Sequence, residues 1–133
     1  MLPTVVFLED NYDLRELLQS IIESSLPVSC AAFDSVNNLK ASEATVLQSR
    51  IIILDIELGF RQPTGIDAYN WLIENDFKGH IFFLTGHGYS NPLVQAAAKV
   101  GATIWEKPIS SKQIVSNFRT ILDEKINSEG VVL

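Results

Sequence analysis

The sequence predicts an α/β domain: a doubly wound, five-stranded parallel sheet with helices on both faces. Three observations carry this. Five short apolar runs alternate strictly with five amphipathic segments. The runs, IIILD at 51–55 above all, are too apolar to face water on either side, as in strands covered on both faces. Right-handed crossovers then leave few arrangements for a β-α-β-α chain, and the open doubly wound sheet is the simplest of them.

Each element has its own reason. TVVFLE, 4–9, is rich in β-branched and aromatic residues and reads as the first strand. From Asn11 to Ser24, Leu14, Leu17, Leu18, Ile21 and Ile22 recur at i, i+3, i+4, i+7 and i+8, one face of a helix. Pro27 separates that helix from the second strand, VSCAAF at 28–33. Ser35 opens a weaker helix over 35–48 with Val36, Leu39, Ala44 and Leu47 as its apolar positions. Strand 51–55 follows, then the loop GFRQPTG at 59–65 and a helix from Ile66 to Asp76. HIFFLT, 80–85, is the fourth strand and GHGYSNP, 86–92, the loop after it. LVQAAAKVG, 93–101, is helical, with Gly101 as its stop. ATIWE, 102–106, is a short fifth strand. The last helix runs from Ser110 to Asn127 and buries Ile114, Val115, Phe118, Ile121 and Leu122. The expected division is one domain over 1–127 and a short tail, 128–133, with no repeat, low-complexity tract or linker.

Composition narrows the function classes. A chain of 133 residues is one domain, large enough to bury a core without disulfides or a structural metal. The net charge of -6 and the scatter of the basic residues argue against a nucleic-acid surface, which needs clustered Lys and Arg. The lone Cys30, in an apolar run, suits a reducing compartment and reads as a small buried hydrophobe. No apolar run approaches the roughly 20 residues of a membrane span. The N-terminal MLPTVVFLED turns acidic without a basic n-region, unlike a signal peptide. The expectation is a soluble, cytoplasmic domain.

In a doubly wound sheet, function collects at the carboxyl ends of the strands. Strand one ends there in Glu9 and Asp10, strand three in Asp55, strand four in Thr85, and strand five in Lys107 followed by Pro108. Three carboxylates, a hydroxyl and an ammonium thus converge on one edge. Packed like charges repel unless something positive sits among them, and a hard divalent cation such as Mg²⁺ is the economical solution. With part of the negative charge covered, a carboxylate can attack a phosphoryl group while the lysine and hydroxyl hold the transferred oxygens. Asp55, at the end of the most apolar strand, is the candidate nucleophile. Each piece also has a plain reading: Asp10 or Asn11 as a helix cap, Asp55 and Thr85 as ordinary strand-end residues, Lys-Pro as a turn.

VVFLEDN, IIILDIEL, the later Gly65, FFLTGHG and VGATIWEKPIS together resemble the receiver domain of two-component response regulators, over about residues 4 to 125. The resemblance implies a flavodoxin-like sheet of order 2-1-3-4-5. It also implies a cytoplasmic switch in which a sensor histidine kinase or phosphotransfer protein donates a phosphoryl group to Asp55. Mg²⁺ would be held by Asp10 and Asp55 directly, by Glu9 through water, and by the backbone carbonyl of Glu57. Thr85 and Lys107 would engage the phosphoryl oxygens, and Gly86 would leave room beside the hydroxyl. The Lys107–Pro108 bond matches a cis peptide of the family that aims the lysine inward. Partner binding, homodimerisation included, would use the face made by helix 93–101, strand 102–106 and helix 110–127. The chemistry would be confined to phosphorylation and dephosphorylation of the domain itself, with signalling left to a downstream protein or an output domain outside this chain.

The sequence departs from the family in several places. The loop after Asp55 is about two residues longer, with a proline only at Pro63. The connection after Gly101 is a residue shorter. The switch position three before the lysine holds Ile104 instead of Tyr or Phe, and strand alternation puts Trp105 on the opposite side. Tyr89 is an alternative reporter of activation. Glu57 and His87 flank the phosphoryl group in the resemblance and would tune its hydrolysis; a solvent-facing loop histidine is the plain reading of His87, and His80 reads as a surface residue. These departures keep a second reading open, a pseudo-receiver that serves as a phosphorylation-independent interaction scaffold. An aspartyl phosphatase or a flavodoxin fits less well. Glu57 has the phosphatase spacing without the rest of that motif, and LEDNYD would repel a flavin phosphate.

Overall fold

The computed structural model describes residues 2–59, 61–88 and 90–128, with side chains through 123. Five parallel strands form one sheet in the order β2-β1-β3-β4-β5. The strands are β1 (Thr4–Leu8), β2 (Ser29–Phe33), β3 (Ile51–Asp55), β4 (His80–Thr85) and β5 (Thr103–Glu106). The helices are α1 (Tyr12–Ser25), α2 (Val36–Ala41), α3 (Glu43–Leu47), α4 (Gly65–Glu74), α5 (Pro92–Lys99) and α6 (Ser111–Ser128).

Alternate strand residues build two cores. Val5, Phe7, Ile51, Ile53, Phe82, Leu84 and Trp105 face α1 and α6, meeting Leu18, Ile22, Ile114 and Phe118. Val6, Leu8, Ile52, Leu54 and Phe83 face the other way, onto Val36, Leu39, Val46, Leu72 and Val94. β3 is buried along its whole length, so each of its four aliphatic side chains contributes roughly 1.5–3 kcal/mol of transfer free energy. The alternation also separates Trp105, which stacks on Phe82 at 4.4 Å, from Ile104, which packs against the opposite core.

Three details differ from the sequence expectation. The helix over 35–48 is two short helices, broken at Ser42, whose φ of -106° and ψ of 41° are not helical. The break turns the buried face from Ala44 to Val46, and Ala44 is exposed. Leu17 lies on the predicted face of α1 yet is 55% exposed, because the stripe is wider than the sheet it covers. Cys30 is half-buried; its thiol is pushed up to about 12 by burial and then by Glu23, so it is an inert apolar group.

Asn11 caps α1, its side chain accepting the Leu14 N–H at 2.9 Å. Thr64 and Asp67 form a capping box that starts α4. The first residue of α4 is a glycine for a steric reason: a Cβ on Gly65 would sit 2.3 Å from the Asp55 carbonyl oxygen. Its N–H donates to the Ile56 carbonyl at 2.9 Å, so α4 begins pressed against the end of β3. Gly65→Ala is therefore expected to cost about 1–3 kcal/mol in urea denaturation, as overpacking of a rigid backbone contact. Gly88→Ala, where a Cβ meets nothing within 4 Å, should stay within about 0.5 kcal/mol of wild type. Equal effects at the two sites would remove the steric account.

Candidate functional site

Strand parity brings the charges together. Glu9 continues the alternation of Val5 and Phe7, Asp55 that of Ile51 and Ile53, and both fall on the α1/α6 side. Since Leu8 pairs with Leu54, the next residues, Glu9 and Asp55, stand side by side. β5 ends at Glu106, immediately before Lys107, whose N–H donates to the Thr85 carbonyl at 2.7 Å. The Lys107–Pro108 peptide that follows is cis. From there the lysine side chain reaches back, with Nζ 3.0 Å from Glu9 Oε1 and 3.2 Å from Asp55 Oδ2. The structure thus brings Glu9, Asp55 and Lys107 into direct contact. Asp10 is exposed beside them, and Glu9, Asp10 and Asp55 each offer one carboxylate oxygen within 4.8 Å of the others.

Burial makes this cluster costly. Glu9 is 1% exposed and Asp55 2%, whereas Lys107 is only half-buried. Desolvation, then the neighbouring Glu9 carboxylate, pushes the Asp55 carboxyl up to about 8. Burial alone would raise Glu9 too, but contacts with Asp55 and Lys107 and the Asn11 N–H, at 3.1 Å, hold it below its ordinary value. Asp10 is raised by its partial burial and by Glu9. Lys107 stays above its ordinary value because the Glu9 and Asp55 carboxylates outweigh the burial that opposes them. One ammonium therefore faces three carboxylates, and the buried pair holds on to a proton.

That arrangement fits a divalent cation. Glu9 Oε1 is buried and, among the described residues, has no hydrogen-bond partner; its lysine contact is an ion pair alone. An acceptor oxygen in that state, next to two more carboxylates, is what a hard oxygen-seeking metal requires. The side-chain cap of α1 is Asn11, while Glu9 Oε2 accepts the Asn11 N–H at 3.1 Å, which leaves Glu9 Oε1 and the Asp10 carboxylate for the shared space. Glu9, Asp10 and Asp55 all present an oxygen to the shared space, and no ordering into direct and water-linked ligands follows from their positions.

The remaining candidates lie around this centre. Thr85 is fully buried, and its parity puts it on the opposite side of β4 from Leu84. Its hydroxyl lies 3.3 and 3.4 Å from the two Glu57 carboxylate oxygens and accepts the His87 N–H at 3.0 Å. The Glu57 N–H in turn donates to Asp55 Oδ1 at 3.3 Å. A Cβ on Gly86 would meet nothing within 4 Å, so there is open space beside Thr85. His87 and His80 are both exposed. Ile104 is half-buried, and Tyr89 lies outside the described residues. The long loop after Asp55 is anchored by buried Leu58 and turns through positive φ at Gly59 and Arg61.

Two contacts were not anticipated. Arg15 Nη1 donates to the Glu9 carbonyl at 2.8 Å and pins the end of β1, a link legible in sequence only as a cation in the first turns of the helix after the acid pair. The Glu57 side chain meets Thr85 across 28 residues of chain, which no local pattern signals.

No protein-family model matches this sequence. No curated protein matches it either. Solved structures do. The signal receiver domain of a protein described as a Luxo repressor, from Vibrio parahaemolyticus, superposes with a TM-score of 0.79 at 23% identity, covering 100% of this chain and 99% of that one. A response regulator receiver protein from Pseudoalteromonas atlantica gives 0.79 at 18% identity, over 92% of this chain and 99% of its own. A response regulator receiver domain protein from Clostridium thermocellum gives 0.78 at 17%, over 93% and 97%. With five parallel strands in the order 2-1-3-4-5 and this likeness along almost its whole length, the chain has the fold of the response regulator receiver domains.

Proposed function

We propose that this domain is a phosphorylation switch that accepts a phosphoryl group on Asp55 in a Mg²⁺-dependent reaction, with no chemistry beyond its own phosphorylation and dephosphorylation. The observation that carries the reading is the buried Glu9–Asp55 pair held by one ammonium, with a third carboxylate, Asp10, beside it. Glu9, Asp10 and Asp55, with the Glu57 carbonyl, would hold the cation, which supplies charge neutralisation and lowers the Asp55 carboxyl into its nucleophilic form. An Asp55 oxygen then attacks phosphorus as the bond from phosphorus to the donor nitrogen of a phosphohistidine breaks, its electron pair staying on the imidazole. Lys107 is placed to balance the charge of the transferred oxygens, and Thr85 to donate to one of them. The donor fits a sensor histidine kinase or phosphotransfer protein in the cytoplasm. The readout is binding of a downstream protein, a second copy, or an output domain through α5, β5 and α6. No helix among the described residues is long and apolar enough to cross a membrane.

Incubation with Mg²⁺ and acetyl phosphate should add one phosphoryl mass to the wild type and none to Asp55→Asn. An unmodified wild type that still binds a partner would favour the pseudo-receiver scaffold, the reading that Ile104 at the switch position keeps open. Removing Lys107 should leave the carboxylate pair uncompensated: Lys107→Met is expected to cost about 3 kcal/mol of stability at pH 7 and to lower the phosphorylation rate by at least about tenfold.

The raised Asp55 carboxyl gives a pH signature. In the folded protein the group keeps its proton up to about 8, whereas unfolded it loses it near 3.8. The folded state therefore binds more protons in that window, and metal-free stability falls as pH rises from about 4 towards about 8. Asp55→Asn should flatten the fall and, at pH 8 in EDTA, unfold at higher urea than wild type, by on the order of 1–2 kcal/mol. At pH 8, a millimolar site in 10 mM Mg²⁺ should stabilise the wild type by about 1.4 kcal/mol and leave Asp55→Asn almost unmoved. A wild type indifferent to both pH and Mg²⁺ would remove the cation site.

A further inference from the structure

Glu57 does something in this structure that neither a backbone metal ligand nor a tuner of hydrolysis requires. Its carboxylate engages the buried Thr85 hydroxyl with both oxygens, at 3.3 and 3.4 Å. A threonine hydroxyl has one proton to donate. Three acceptors compete for it, the two Glu57 oxygens and the His87 carbonyl at 3.4 Å. The carboxylate carries charge and is the stronger claimant. We propose that the Glu57 carboxylate is a latch: it occupies the Thr85 hydroxyl in the unphosphorylated domain and must release it before an oxygen of an incoming phosphoryl group can take its place.

Three features support a latch that opens. The distances exceed the 2.7–2.8 Å usual for strong O–H···O bonds, so the contact is weak enough to exchange. Glu57 is half-buried on the loop after β3, close to exposed residues, so its side chain has a path into water. An incoming phosphoryl group is an anion and repels the carboxylate from the hydroxyl it needs. The contact also has a route outward. The same Thr85 oxygen accepts the His87 N–H at 3.0 Å, so exchange of the acceptor that takes the Thr85 proton is felt in the backbone that leads to α5. Glu57 touches both ends of the site, its N–H on Asp55 Oδ1 and its carboxylate on Thr85. That makes it a positioning residue that sets the threshold for phosphoryl occupancy.

The proposal rests on the receiver reading, and its test separates the two. In metal-free protein, Glu57→Ala should shift the Thr85 methyl resonance and speed hydrogen exchange of the His87 amide; identical spectra and exchange overturn the latch whatever the domain binds. In Mg²⁺, Glu57→Ala should bind beryllofluoride about tenfold tighter than wild type, one hydrogen bond of ordinary net strength. Glu57→Gln, which keeps an acceptor and loses the charge, should lie between. In a Thr85→Val background the gain from Glu57→Ala should fall below about twofold, since the partner is already gone. A gain of the same size there means plain charge repulsion and overturns the latch. Failure of every protein, wild type included, to bind beryllofluoride while the Thr85 resonance still moves overturns the receiver reading, and with it any control of phosphoryl occupancy by Glu57.

Discussion

The structure turns on two carboxylates that are buried side by side and compensated by a single lysine. Glu9 and Asp55 stand almost without solvent at the ends of adjacent strands, and Lys107 is 3.0 and 3.2 Å away. Such a cluster lowers stability, because the desolvation of two acids exceeds what one ammonium returns. The raised Asp55 carboxyl and the crowding of three acids around one ammonium are two expressions of one deficit of positive charge.

The sheet supplies the geometry. Parallel strands put all their carboxyl ends on one edge, and β1, β3 and β4 lie next to one another because the order is 2-1-3-4-5. Parity then sorts the side chains: Glu9 and Asp55 continue the face under α1 and α6, while Thr85 continues the other face. The hydroxyl thus approaches the acceptor from the opposite side to the lysine. The intervening space is bounded by Glu57, with open room at Gly86. Rigid neighbours hold the edge in place, through the start of α4 pressed on the Asp55 backbone at Gly65 and the Arg15 guanidinium on the Glu9 carbonyl.

A switch needs an element with two arrangements. β5 offers little: Trp105 is stacked on Phe82 and flanked by the tilted Phe118 ring, and Ile104 carries no aromatic ring to turn. The Thr85 hydroxyl offers more, since it has competing acceptors and is bonded to the loop that leads into α5. Under the proposed latch, the exchange of partners at that hydroxyl would be the moving element.

Most of the fold was legible in the sequence. Apolar runs and helical periodicity report burial, and burial in a two-faced sheet is set by local pattern. The strand HIFFLT appears at 80–85 as its composition indicates, and Asp55, Thr85 and Lys107 are marked by their places at strand ends. Local pattern did not reveal the break at Ser42 or the exposure of Leu17, because both depend on how much neighbouring surface there is to cover. Nor did it reveal which acid is buried, which caps the helix, or what Glu57 touches. Those answers depend on contacts between residues far apart in the chain, such as the 52 residues that separate Asp55 from Lys107. The order of residues determined which chemical groups stand at the carboxyl edge; the folding of strands from distant segments decided their distances, their dehydration, and therefore their charge.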